Sequence, residues 1–181
     1  VGLVPAAGGM KEAVFRTMVP AQRVSWPWFI MQRSFEAITM AKITSSAWEA
    51  FDLGYLRPGA GVTMNRDGLI HAAKQVALGM LESGWQTPLP VKVRVMGEDG
   101  MGNFRWILDN VRGGGFISTH DHYLSMVVGR VLSGGEVEIN AEVDEQYLLD
   151  LERKAFLDVC RTPKSIERMQ HLLNTGKPLR N

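Results

Sequence analysis

The chain has 181 residues, 45% of them hydrophobic and 22% charged, ordinary values for a domain that buries a core. A net charge of +1 gives no electrostatic case for nucleic acid or an acidic surface as partner, and no apolar run approaches the ~20 residues that span a bilayer. The single cysteine, Cys160, excludes an internal disulfide framework, suits a reducing cytoplasmic setting and, among apolar helical neighbours, reads as a buried inert thiol.

Val1 leads directly into an apolar stretch, whereas natural termini are usually loose and polar, so an interior segment of a longer protein is expected. Gly2-Leu3-Val4-Pro5-Ala6-Ala7-Gly8-Gly9 is a small-residue turn that lets backbone approach a ligand or another backbone closely. A helix follows over Met10–Met18, with Ala13, Val14 and Met18 apolar. Pro20 to Pro27 breaks that pattern, and Trp26-Pro27-Trp28 is expected as a loop with large anchors. From about Phe29, the spacing of Met31, Phe35, Ile38 and Ala41 predicts a helix with one buried face.

Ser46-Ala47-Trp48-Glu49 has the form of a capping box opening a short helix that Gly54 ends. Arg57 to Gly61 reads as a loop and Val62-Thr63-Met64 as a short strand. Asn65 is expected to cap a strong helix with Leu69, Ala73, Val76, Ala77 and Met80 on one stripe and Gly84 beyond its end. Val91, Val93 and Val95 alternate with Lys92 and Arg94, the pattern of a half-exposed extended segment. Helices are expected around Asn103–Val111 and Asp121–Leu132, separated by Gly113-Gly114-Gly115, with a capping signal at Ser118-Thr119-His120-Asp121. Another should run from about Asp144 to Val159 with Leu148, Leu151, Ala155 and Val159 inward. Thr162-Pro163 caps and starts the last, through Ile166, Met169 and Leu173, and Gly176-Lys177-Pro178 stops it.

Signals for chemistry are sparse. Gly100-Met101-Gly102-Asn103-Phe104-Arg105 nearly matches a dinucleotide fingerprint, but Arg105 stands where the third glycine permits close packing, so a flexible turn before a helix is the better reading. His120 and His122 are two apart on a helix and point to different sides, which suits helix-start polar residues rather than a metal site. The pairs Glu98-Asp99 and Asp144-Glu145 sit where first-turn acids favour the helix dipole. Interleaved charges, such as Glu152 with Arg153 and Lys154, read as a solvated surface. No residue set assembles a catalytic machine, and no metal site is expected.

Gly2-Leu3-Val4-Pro5-Ala6-Ala7-Gly8-Gly9-Met10-Lys11-Glu12 resembles the crotonase-superfamily segment Gly-x-x-Pro-Gly-x-Gly-Gly, which opens a helix just after the second catalytic glutamate. The stretch from Ala41 to Leu56 resembles the downstream pattern of the same family. The tails Glu145–Arg153 and His171–Asn181 look like the end of bacterial two-function 3-hydroxyacyl-CoA dehydrogenases, in which an NAD-binding dehydrogenase precedes a hydratase-like domain.

This resemblance implies a mainly α fold: the helical C-terminal fragment of a crotonase-type domain with a few short strands. Residues 1–90 would end the crotonase-like domain and residues 91–181 would form a helical C-terminal extension. The parent would act in fatty-acid β-oxidation, hydrating enoyl-CoA and oxidising the 3-hydroxyacyl-CoA product with NAD. Crotonases hold the thioester enolate with two backbone N–H groups and use paired glutamates as acid and base. By the family pattern all of these lie upstream, so the isolated chain is expected to be inactive and to bind no NAD. Its partners would be the upstream dehydrogenase and hydratase core, the acyl-CoA substrate of the parent, and further copies of itself.

One family element would remain. By position Ala6 supplies the backbone N–H that helps hold the reacting water in hydratases, and Gly8 and Gly9 would present free N–H groups near the acyl site. The alternative is a tight turn packing the helix against an upstream sheet. A second class of reading also stands: a helical oligomerisation or interaction module without catalysis.

Overall fold

The computed structural model describes residues 2–21 and 27–181. Among them the chain is mainly helical, with eight α-helices, one 3-10 turn and two very short strands. It divides into two compact units, Val1–Ile43 with Val91–Asn181, and Thr44–Pro90.

In the first unit, α1 (Gly9–Ala21) carries Met10, Val14 and Met18 four residues apart and buries all three, as a period of 3.6 requires. It ends one residue after Pro20, which has no backbone N–H to donate. α2 (Pro27–Thr39) starts two residues earlier than its apolar spacing predicts, with Pro27 at a first-turn position that needs no N–H. Trp28 therefore belongs to a helix rather than a loop, and its ring lies 4.8 Å from that of Phe104. Residues 22–26, the rest of that expected loop, lie outside the described residues. Met31 and Phe35 are buried, but Ala41 falls beyond the helix at φ +48° and is exposed.

α5 (Gly97–Gly113) and α6 (Thr119–Ser133) pack side by side. Phe104 is fully buried where they meet α2, with its ring 4.3 Å from that of Phe35 and against Gly129 of α6. The expected turn at Gly100-Met101-Gly102 is helical instead. A Cβ on Gly100 would come within 3.0 Å of Ser133 Oγ, so the glycine serves helix packing. Ser118 and Asp121 form a complete capping box at the start of α6. At its end Gly134 has φ +90°, and a Cβ there would meet Val95 at 2.5 Å.

Strand β1 (Val93–Arg94) pairs antiparallel with β2 (Glu142–Val143), Val93 opposite Val143 and Arg94 opposite Glu142. Val93 and Val95 are buried as the alternation predicts, whereas Val91 is exposed. α7 (Glu145–Cys160) is capped by Asp144, whose carboxylate accepts from Tyr147 N–H, and buries Leu148 and Val159. α8 (Pro163–Thr175) departs from its expected face: Ile166 and Leu173 are exposed, and the buried residues are Ser165 and Arg168. Thr162 stands at the N-cap position with Pro163 after it, as expected, but its hydroxyl donates to the Val159 carbonyl and makes no cap bond to the helix.

The second unit holds α3 (Ala47–Asp52), a 3-10 turn (Arg66–Gly68) and α4 (Leu69–Glu82). Ser46 Oγ accepts from Glu49 N–H, but the Glu49 carboxylate returns to Ser45 rather than to the cap. Val62–Met64 forms no strand, and Asn65 caps the 3-10 turn rather than the helix. The stripe of α4 is uncovered, with Leu69 52%, Val76 63% and Met80 42% exposed. Among the described residues no helix is long and apolar enough to cross a membrane.

Candidate functional site

Ala6, Gly8 and Gly9 lie together at the turn that opens α1. Ala7 (φ +56°) and Gly8 (φ +89°) are consecutive left-handed residues, and Gly9 N–H donates to the Ala6 carbonyl at 3.3 Å. Glycine suits φ +89°, whereas an alanine at φ +56° is held against its preference. The conformation turns the chain so that N–H groups at the start of α1 point the same way, where the helix leaves donors unpaired and the dipole is positive.

These donors already have an acceptor. Glu152 of α7 places its carboxylate at the turn, Oε1 accepting from Gly8 N–H at 2.6 Å and Oε2 from Lys11 N–H at 2.8 Å. Glu152 is only 2% exposed, so it is no part of a solvated face. The expectation of free N–H groups at Gly8 and Gly9 is thereby corrected: one is taken by Glu152, the other by the Ala6 carbonyl.

Glu145, Leu149 and Glu152 recur at helical spacing and share one side of α7. Leu149 lies beside Gly8, and Glu145 accepts from Lys11 Nζ at 2.6 Å, with Glu12 on the same ammonium at 2.7 Å. Burial pulls the Lys11 pKa down, but the hydrogen bonds and charges of Glu12 and Glu145 outweigh it and leave it above the ordinary lysine value.

A second polar cluster ties α6 to α8 and the C-terminal residue. Arg168 Nη1 donates to Asp121 Oδ1 at 2.7 Å, Nε to Asn181 Oδ1 at 2.8 Å, and its side chain lies against Gly2. Burial raises the Asp121 pKa, but hydrogen bonds from Arg168 and Ser118 outweigh it and hold the carboxyl below the ordinary aspartate range. His120 Nε2 is 3.1 Å from Ser165 Oγ. That spacing suits a nucleophile and its base, but both residues are buried and Ser165 is fully enclosed, so no substrate reaches them. Burial, then the charges of Arg168 and Lys164, lowers the His120 pKa. His122 turns elsewhere, to Asp109 at 2.8 Å, so the two imidazoles diverge. Among the described residues no three His, Cys, Asp or Glu side chains group as metal ligands.

A cleft of about 600 Å³ between α5 and α6 has Met101, Gly102, Met126 and Val127 in its walls with Arg105 and Arg130. Arg130 pairs with Glu136 at 3.0 Å, and no nucleophile–base pair faces the space.

The sequence reading assigns Glu152 to a solvated face, although a contrary signal exists. Leu148, Glu152, Ala155 and Val159 fall on one stripe of α7, so an ionisable residue occupies an inward position. A buried carboxylate needs donors, and the glycine turn supplies them.

Fold and site together define a helical segment whose glycine turn is clamped by a buried carboxylate, with no set of reacting groups of its own among the described residues. The chain is similar over all 181 residues, at 39% identity, to a Bacillus subtilis (strain 168) protein named probable 3-hydroxyacyl-CoA dehydrogenase. It spans 23% of the length of that relative. No protein-family model matches the chain, and no solved structure matches it.

Proposed function

We propose that the chain is the C-terminal part of a two-function enzyme of fatty-acid β-oxidation, a NAD-dependent 3-hydroxyacyl-CoA dehydrogenase joined to a crotonase-type enoyl-CoA hydratase. The observation that carries this reading is the 39% identity along the whole chain to a relative with that dehydrogenase name. The small-residue turn Gly2–Gly9, through its resemblance to the crotonase segment, supports the hydratase half.

In this reading residues 1–90 end the crotonase-type domain and 91–181 extend it. The upstream parts would bind NAD and acyl-CoA, and NAD would supply the hydride acceptor. Water adds across the enoyl thioester between upstream glutamates, and the Ala6 N–H helps hold that water at the edge of the site. A cytoplasmic setting fits the single thiol.

The test compares the 181-residue chain with the complete gene product, using crotonyl-CoA for hydration and acetoacetyl-CoA with NADH for the dehydrogenase. Both activities are expected in the complete product and neither in the isolated chain. Hydration by the isolated chain above background overturns the fragment reading; a complete product without dehydrogenase activity overturns the family reading.

A second reading rests on the uncovered stripe of α4. Thr44–Pro90 would then serve assembly, with Leu69, Val76 and Met80 packed against another chain. A monomer at all concentrations in sedimentation counts against it.

A further inference from the structure

We propose that Glu152 is a positioning residue for the hydratase site: it fixes the backbone of Pro5 to Gly9, and with it the Ala6 N–H, from a helix far along the chain. The inference rests on the hydratase reading of that turn. Its structural basis is independent. The turn holds two consecutive left-handed residues, one of them an alanine, so the chain does not favour this geometry unaided. Side-chain crowding at Gly8 is not what holds this geometry, since a Cβ there would meet Leu149 and Lys11 only at ordinary contact distances of 3.6 and 3.5 Å. What distinguishes the observed conformation is the carboxylate, which takes one N–H from inside the turn and one from the first turn of α1. Two acceptor oxygens on one rigid plane set the direction of both peptides at once. The Ala6 carbonyl, bonded to Gly9 N–H, fixes the Ala6–Ala7 peptide, and the Ala6 N–H lies on the adjoining Pro5–Ala6 peptide, one Cα away from it.

A carboxylate at this place does more than a neutral amide could. Glu152→Gln keeps size and one oxygen, but its NH₂ faces an N–H, so one of the two donors loses its acceptor and the turn is free to rotate. In the complete gene product, hydratase kcat with crotonyl-CoA should fall about tenfold to a hundredfold while dehydrogenase activity is retained, the size of loss that small misplacements at a site produce. The amides of Gly8 and Lys11 should exchange with deuterium faster than in the wild type. Val159→Ala, at a buried position of the same helix away from the turn, is the control for lost stability.

A selective fall in hydratase kcat in Glu152→Gln, absent in Val159→Ala, supports the proposal. Equal effects of the two variants, or an unchanged kcat beside an active wild type, overturn the role of Glu152. Should Glu152→Gln not fold, Glu152→Asp carries the same test, since its shorter side chain reaches only one of the two donors, and the same selective loss is expected. An inactive wild-type hydratase overturns instead the reading of the site, and is distinguishable because it appears before any substitution.

Discussion

Glu152 and Lys11 are bound through the main chain of one and the carboxylate of the other, at 2.8 Å and 141 positions apart. The Lys11 ammonium reaches back to Glu145 on the same helix as Glu152, so α1 and α7 are joined by two charged links on either side of Leu149.

Removing the carboxylate leaves two buried N–H groups without an acceptor. Glu152→Ala should destabilise the chain by roughly 2–6 kcal/mol, from about 1–3 kcal/mol for each of the two stranded groups. Urea unfolding measures it. A loss under about 1 kcal/mol would mean that water replaces the carboxylate at the turn.

The Lys11 link sets a limit on the alkaline side. A lysine whose folded pKa is raised stabilises fully below its unfolded value, about 10.4, and loses that stabilisation as pH rises through the folded one. Wild-type stability should therefore fall above about pH 10.4, and Lys11→Met should flatten that limb. Thermal melts between pH 9 and 11.5, roughly one unit either side of that value, settle it.

Acid acts at the other cluster, in two windows. Burial and the charges of Arg168 and Lys164 depress the His120 pKa, against the weaker opposing effect of Asp121 and Glu167. Its neutral form is favoured on folding, so stability present above the unfolded value of about 6.5 is lost as pH falls through the folded pKa. Asp121 is likewise depressed, and its contribution is lost lower, below about pH 3.9. His120→Asn should remove the first slope and keep the second, as followed by circular dichroism across the acid range.

Arg168→Ala should cost about 3 kcal/mol, because it leaves Asp121 in a part-buried place without its cation and frees Asn181. Arg168→Lys should recover only part of this, since an ammonium cannot meet Asp121 and Asn181 in the geometry of a guanidinium. Equal stability of the two variants would show that charge alone matters there.

The uncovered stripe of α4 predicts association that depends on concentration. Val76→Glu puts a charge on that stripe and should shift sedimentation toward monomer with little change in helix content. An unchanged distribution would place the contact elsewhere.

Much of this architecture is legible in the sequence where a single helix decides the outcome. Met10, Val14 and Met18, or Met31 and Phe35, recur with the helical period, and Ser118 with Asp121 supplies a local cap. Features set by distant partners are not. β2 is two residues long, too short for any period to appear, and exists because Val143 finds Val93. Gly100 reads as a turn until Ser133 is seen beside it. Ser46 caps as predicted, but Glu49 chooses Ser45 because both its N–H and its hydroxyl lie within reach. For the site, the glycines mark the turn correctly, while its acceptor stands more than a hundred residues away on a stripe otherwise apolar.

The same separation orders events during synthesis. The opening turn is among the first parts of this segment to leave the ribosome, but its acceptor is made 141 residues later than Lys11. At about 5–20 residues per second, that interval is on the order of ten seconds. Until then the Gly8 and Lys11 amides have only water as acceptor, so α1 begins life with an open end that the emerging α7 closes.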